Sequence, residues 1–184
     1  MDKSNKAIKS TIVIIIFTLG SKFLGFIREI LIAAKFGSGM ETDMYFVAMT
    51  ATGIITGLIS SAIGTIFIPI LSEIESREGK RYKIIHTNNM LNIIFFISLI
   101  LVLLGWIASP VLVRLLAKGF YGEQYKLTVK LMRIGLPTVI FSGLMGVLTG
   151  FLHSEQKHIS SAAIGFPLNF VYIFYLMFLS SKFD

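Results

Sequence analysis

Residues 9–34 read KSTIVIIIFTLGSKFLGFIREILIAA, an apolar run interrupted by few charged residues. A helix that crosses a bilayer needs roughly 20 predominantly apolar residues. The run is longer than that, and no small-residue cleavage site of the secretory kind follows its charged and apolar start. It therefore predicts a membrane-spanning helix near residues 9–34.

Four further apolar runs of similar length follow. They lie near residues 44–71, 84–109, 127–152 and 160–179. Of the 184 residues, 54% are hydrophobic and 15% charged, which is more apolar than one water-soluble core can hide. We expect an all-α fold, a polytopic bundle of about five transmembrane helices that forms a single transmembrane domain over residues 1–184.

The net charge of +7 lies between the apolar runs, which favours contact with membrane lipids over a nucleic-acid partner. With the N-terminus inside, the inner basic residues are Lys3, Lys6, Lys9, Arg77, Lys80, Arg81, Lys83 and Lys157. The outer ones are Lys35, Arg114, Lys118, Lys126 and Lys182, with Lys130 at the entrance of the fourth helix. Because basic residues stay on the cytoplasmic side, this bias favours a cytoplasmic N-terminus.

The connections have their own signatures. Two glycines within residues 36–40 predict a tight reversal, and the polar residues 73–83 predict a loop. Residues 110–125 predict the longest outer loop, in which 111–116 form a short amphipathic helix at the membrane surface.

The first span carries charged residues deep in the membrane. Its polar positions recur at helical spacing on one face: Thr18, Ser21, Lys22, Gly25, Arg28 and Glu29. An ionised side chain at the bilayer centre costs on the order of 3 kcal/mol, so such residues are expected to serve a function or to have a partner. A net positive face suits an anionic headgroup such as a diphosphate. The alternative is a purely structural ion pair of Arg28 or Lys22 with a carboxylate.

Two further charged residues are candidates. Asp43 lies at the start of the second helix, where helix capping and a gating role are equally compatible with the sequence. Arg133 lies a turn inside the fourth span, before the kink site Pro137, and either reaches toward the surface or joins the cavity of Arg28.

No enzyme motif is found in the sequence. The chain has no cysteine, and its three histidines lack metal-ligand spacing. We therefore expect no catalytic residue, no metal and no cofactor.

Residues 21–48, SKFLGFIREILIAAKFGSGMETDMYFVA, resemble the first-helix signature of the MurJ-type lipid II flippases, within the multidrug, oligosaccharidyl-lipid and polysaccharide exporter superfamily. FIPILSE at 67–73, LMRIGLP at 131–137 and FPLN at 166–169 follow in the family's order. The family commonly has a Pro-Asn and paired arginines in the stretch that corresponds to residues 51–59, and these are missing here.

The resemblance implies the N-terminal part of a two-lobed flippase in the bacterial inner membrane. It implies transport of lipid II from the inner to the outer leaflet by alternating access, with a C-terminal lobe or a second subunit as partner. Lys22 and Arg28 would bind the diphosphate, Glu29 would hold Arg28, and Asp43 would contribute to the outer gate. Alternatives are export of another polyprenyl-linked polysaccharide or small solute, and a non-transporting membrane scaffold or inactive fragment.

Overall fold

A computed structural model describes the backbone of residues 3–37 and 39–179 and the side chains of residues 11–37, 39–157 and 159–178. Every regular element in these ranges is helical. The helices are α1 (Lys3–Phe36), α2 (Met40–Ala62), α3 (Ile68–Glu78), α4 (Lys80–Leu116), α5 (Gly122–Gly135), α6 (Thr138–Ser154), α7 (His158–Ala163) and α8 (Gly165–Phe174). Two π-helical turns occur, at Ile63–Phe67 between α2 and α3 and at Tyr175–Leu179 after α8.

The described helices form five segments long and apolar enough to cross a membrane. They are Thr11–Phe36, Met40–Glu78, Lys80–Leu116, Gly122–Ser154 and Ile159–Phe178. Each coincides with one predicted apolar run, so the predicted all-helical fold is confirmed. The prediction that residues 1–184 form a single domain stays a prediction, and the side chains of the three N-terminal lysines and all of Lys182 lie outside the described residues.

Residues 40–155 form one compact unit, built from α2 to α6. Its core contains buried apolar side chains from each of these helices, among them Ala51, Leu71, Val113, Met132 and Val147. Glycines bring the backbones close together, as an added Cβ at Gly143 would come within 2.8 Å of Ser98 Oγ. Small residues at contacts are how membrane helices pack, because hydrocarbon supplies no hydrophobic drive between them.

Residues 1–39 and 156–184 form the other unit, in which α1 packs against α7 and α8. Gly20 on α1 accommodates the ring of Phe166, which also makes an edge-to-face contact with Phe17 at 5.3 Å between ring centroids. Farther along, Ser21 packs so closely on Gly165 that a Cβ there would clash with the Ser21 hydroxyl. These contacts fix the face that α1 turns toward α8.

Large apolar side chains cover the outside of the helices. Phe23, Ile107 and Phe141 are 63%, 71% and 72% exposed, respectively. An apolar exterior of this extent belongs in hydrocarbon, because a water-soluble chain rarely exposes contiguous apolar patches of more than a few hundred Å².

Two predictions about the connections are wrong: the loop at residues 73–83 and the separate surface helix at residues 111–116. Residues 73–83 belong to α3 and α4, which meet at Gly79 with φ 90°. Residues 111–116 are the last turns of α4, which continues through Pro110, and do not form a separate surface helix. Proline removes one backbone hydrogen bond and leaves the carbonyl four residues earlier without its donor. Here the Trp106 carbonyl oxygen accepts from Ser109 Oγ at 2.8 Å and from Arg133 Nε at 3.2 Å, which supports the helix across the proline.

Candidate functional site

Arg28 contacts three other side chains, two through hydrogen bonds and one through its guanidinium face. Its Nη2 donates to Glu29 Oε1 at 2.7 Å, and its Nη1 donates to Asn169 Oδ1 at 3.4 Å. Its guanidinium lies 5.4 Å from the centre of the Tyr172 ring. The side chain is still 26% exposed, and its Nε donates no bond within the described residues. Arg28 is thus oriented by three groups and keeps N–H groups for a further partner.

Lys22 has a different environment. The side chain is exposed, and it takes part in no hydrogen bond or ion pair within the described part of the chain. Lys22 lies about 2 Å along the axis from the midpoint of the Thr11–Phe36 span, and Arg28 about 7 Å beyond the midpoint. An unpaired ammonium at that depth needs water or an anion, because hydrocarbon cannot solvate it.

The predicted charged face divides into two edges. At 3.6 residues per turn, Lys22 and Arg28 point about 120° apart around the helix. Ser21, Gly25 and Arg28 lie toward α8, where an added Cβ at Gly25 would be 4.0 Å from Asn169 Oδ1. Lys22 lies at the opposite edge. The two cations therefore flank a strip of helix surface and share no partner among the described residues.

Glu29 pairs with Arg28, a contact that both the binding hypothesis and the alternative of a purely structural ion pair expect. Its side chain is 43% exposed, so the pair is open to its surroundings on one side. Counting Lys22, Arg28 and Glu29 together, this part of α1 keeps one positive charge. A single excess positive charge beside a partly open guanidinium is suited to binding an anion reversibly.

Asp43 lies in the first turn of α2 and borders an open cavity of about 420 Å³ within residues 40–155. Phe46, Phe120 and Gln124 line the same cavity. The carboxylate is exposed, and the α2 N-terminus favours its negative charge. Whether Asp43 acts as a gate stays a prediction.

Arg133 is engaged inside the unit of residues 40–155. Its Nε donates to Ser109 Oγ at 2.9 Å and to the Trp106 carbonyl oxygen, and its guanidinium stacks 4.1 Å from the centre of the Trp106 ring. Through these contacts the Arg133 side chain supports α4 at Pro110, which gives the residue a structural role. Its contact with substrate stays a prediction.

A buried ion cluster was missed because residues 73–83 were expected to be a loop. Lys83 is fully buried, and its Nζ lies 2.5 Å from Glu75 Oε2 and 2.8 Å from Glu155 Oε1. Lys80 Nζ lies 3.0 Å from Glu155 Oε2. A signal was present in the sequence, since Glu75 and Lys83 stand four residues on either side of Gly79 and a helix–glycine–helix turn brings such positions together.

Glu155 follows the span Gly122–Ser154, and its pKa is lowered from the usual 4.5 to about 2. The main cause is the hydrogen bond from the Lys83 ammonium, followed by the one from Lys80. Both favour the ionised carboxylate. Glu155 is therefore charged at any physiological pH. Among the described residues, no group of three histidine, aspartate or glutamate side chains could hold a metal ion.

The five spans and the cationic side chains inside the first of them define a multi-pass α-helical membrane protein. The chain belongs to the MurJ family, because a family model described as lipid II flippase MurJ matches residues 32–184.

Individual relatives match most of the chain. The chain is 30% identical over 179 residues to a probable lipid II flippase MurJ from Buchnera aphidicola subsp. Acyrthosiphon pisum, a match that covers 96% of this chain and 35% of the relative. It is 30% identical to a probable lipid II flippase MurJ from Rhizobium tropici, over 85% of this chain and 30% of the relative. It is 28% identical to the lipid II flippase MurJ of Burkholderia cenocepacia, over 85% of this chain and 31% of the relative. The chain thus spans about a third of the length of these curated relatives.

Proposed function

We propose that this chain supplies the headgroup-binding helix of a carrier that moves lipid II from the inner to the outer leaflet. Membership of the MurJ family supports the substrate, because the curated relatives that match the chain are named lipid II flippases. The carrier works by alternating access, in which a C-terminal lobe or a second subunit faces this one across the substrate cavity.

The observation that supports the proposal most directly is that the Arg28 guanidinium is oriented by other side chains and still partly exposed. Its guanidinium is oriented by Glu29 and Asn169 while its Nε and part of its surface remain open inside the span. A guanidinium offers paired N–H groups that match phosphate oxygens, and such charge-assisted bonds are about twice as strong as neutral ones. The diphosphate of lipid II has the complementary charge and geometry.

Lys22 is the second cation for the same headgroup. It lies about 9 Å from Arg28 along the helix axis, and its unpaired ammonium acts as a mobile point charge. Glu29 limits the net charge to one, which keeps the diphosphate from binding too tightly to leave. Asp43, at the mouth of its cavity, contributes to the outer gate.

A second candidate substrate is another sugar linked to polyprenyl diphosphate. Residues 51–59 contain no basic residue, and a Cβ added at Gly53 or Gly57 would meet nothing within 4 Å. This stretch of α2 therefore supplies no cation that could bind the remainder of a lipid II headgroup. Such a carrier would use the same Arg28 contact for the diphosphate and differ in the sugar.

The carrier resides in the bacterial inner membrane with its N-terminus in the cytoplasm. The distribution of lysine and arginine supports this orientation, because the junction at Gly79 is rich in basic residues. This places the Lys83 cluster at the cytoplasmic end and the cavity of Asp43 at the outer end.

The test is complementation of a bacterium depleted of its own lipid II flippase by the chain together with the C-terminal lobe or second subunit that the carrier requires. Binding of the purified protein to lipid II is measured in nanodiscs. Arg28→Ala should abolish growth rescue and weaken lipid II binding at least ten-fold, because one charge-assisted bond to phosphate is worth about 1.5–3 kcal/mol. Arg77→Ala is the matched control, since Arg77 is 74% exposed and pairs with Glu73 on its own helix.

Normal rescue by Arg28→Ala would refute the role of Arg28. Binding of another polyprenyl-diphosphate sugar in preference to lipid II would identify the second candidate. Absence of lipid II binding by the unmodified protein, and of rescue when its facing lobe or subunit is present, would favour the scaffold alternative.

A further inference from the structure

Asn169 is a buried polar side chain on α8 that neither capping nor loop formation explains. It is 7% exposed and lies inside the span Ile159–Phe178. An amide in such a place is costly unless its donors and acceptor are satisfied. Its partners therefore indicate what it is for.

The partners lie on both sides of the contact between α1 and α8. Asn169 Nδ2 donates to the Gly165 carbonyl oxygen of its own helix at 3.0 Å and to the Ser21 carbonyl oxygen of α1 at 3.1 Å. Its Oδ1 accepts from Arg28 Nη1 at 3.4 Å. One side chain thus connects two turns of α1.

The orientation of the amide follows from these partners. The two carbonyl oxygens require the NH₂ group on their side, so the oxygen must face Arg28. The reversed amide would place oxygen against oxygen and NH₂ against a cation. Gly25 borders the amide, and a Cβ added there would lie 4.0 Å from Asn169 Oδ1, an ordinary van der Waals contact.

We propose that Asn169 is a positioning residue for Arg28, an inference that rests on the proposed function of Arg28 in binding the diphosphate. Asn169 holds Nη1, Glu29 holds Nη2, and the Tyr172 ring lies against the guanidinium. A neutral acceptor orients the guanidinium without cancelling its charge, which a second carboxylate would do. The part of the guanidinium that remains open is presented to the anion.

The test compares lipid II binding by the chain and its variants in nanodiscs. Asn169→Leu has similar volume but cannot accept or donate, and we expect it to weaken lipid II binding about ten-fold. Asn169→Ser is the second variant, because its hydroxyl can bond the Gly165 carbonyl oxygen within α8 but is too short to reach Arg28. Asn92→Leu on α4 is the control, since Asn92 is exposed and has no hydrogen bond within the described residues.

A positioning role differs from a structural one in the Arg28→Ala background. There the Asn169 substitutions should cause no further loss of lipid II binding, because the group that they position is gone. Equal losses with and without Arg28 would overturn the inference in favour of a structural role, as would unchanged binding in both Asn169 variants. Thermal unfolding followed by circular dichroism verifies that both variants fold.

The results that would refute the proposed function differ from those that would refute the positioning role of Asn169. If the unmodified chain does not bind lipid II, or if Arg28→Ala binds it normally, the assignment of Arg28 is wrong and this inference falls with it. If Arg28→Ala loses binding and the Asn169 variants do not, the proposed function stands and the positioning role is refuted.

Discussion

Replacement of Lys83 by methionine should destabilise the unit of residues 40–155. Methionine keeps the unbranched apolar stem of lysine and removes the ammonium, which lies 5.4 Å from the centre of the Phe151 ring. Lys83 is fully buried and shared by Glu75 and Glu155, so its loss leaves two carboxylates facing each other with Lys80 as the remaining cation.

The magnitude follows from the burial of the three partners. Removal of one member of a buried ion pair costs about 3–5 kcal/mol, because the other charge is left uncompensated. The Glu155 side chain is 11% exposed and fits that case, whereas Glu75 is 39% exposed and can recover some hydration. We therefore expect a loss near the lower end, about 3 kcal/mol in the free energy of unfolding.

The assay is equilibrium unfolding in mixed micelles with increasing sodium dodecyl sulfate, followed by circular dichroism. Lys80→Met is the matched control, because Lys80 is 64% exposed and pairs with the same Glu155. An exposed ion pair is worth about 0–1 kcal/mol, so this variant should lose less than 1 kcal/mol. Adding Glu155→Gln to Lys83→Met should restore part of the loss, since the unpaired carboxylate is then neutral. Equal effects of the Lys83 and Lys80 substitutions would refute the reasoning.

Two further predictions concern pH and orientation. Because the pKa of Glu155 is lowered to about 2 in the folded chain, its stabilising contribution should be complete above about pH 4.5 and lost as the pH falls toward 2. The difference in unfolding midpoint between the unmodified chain and Glu155→Gln should shrink over that range, and a difference that stays constant would contradict the assignment. The chain has no cysteine, so single cysteines at Glu78 and Tyr121 report orientation in intact cells. With a cytoplasmic N-terminus, an impermeant thiol reagent should label Tyr121→Cys and not Glu78→Cys, and the reverse pattern would show the opposite orientation.

The spans could be predicted because the bilayer imposes a length and a composition on each helix independently of its neighbours. All five predicted runs correspond to spans in the structure. The predictions at residues 73–83 and 111–116 are wrong, because helices continue through the polar residues there and through Pro110. Whether a helix continues through such residues depends on partners far along the chain, here Glu155 for Lys83 and Arg133 for the Trp106 carbonyl.

The candidate site was predictable in part for the same reason. The charged residues Lys22 and Arg28 can be recognised from the sequence alone, because a charged residue within an apolar run costs free energy wherever the helix packs. Sequence spacing alone could not separate the two cations, because both belong to one broad polar face. The contact with α8 separates them, burying the Arg28 edge against Asn169 and leaving Lys22 exposed.

By itself, the amino-acid sequence determined that this chain is a bundle of membrane-crossing helices with cationic side chains inside the first. Those properties depend on local composition and on the lipid around each helix. Tertiary structure alone decided the role of each charge: Lys83 neutralised in a buried cluster, Arg133 used to support a proline-containing helix, and Arg28 oriented and still partly open. Such roles depend on residues up to 141 positions apart in the chain, which helix packing brings within hydrogen-bonding distance.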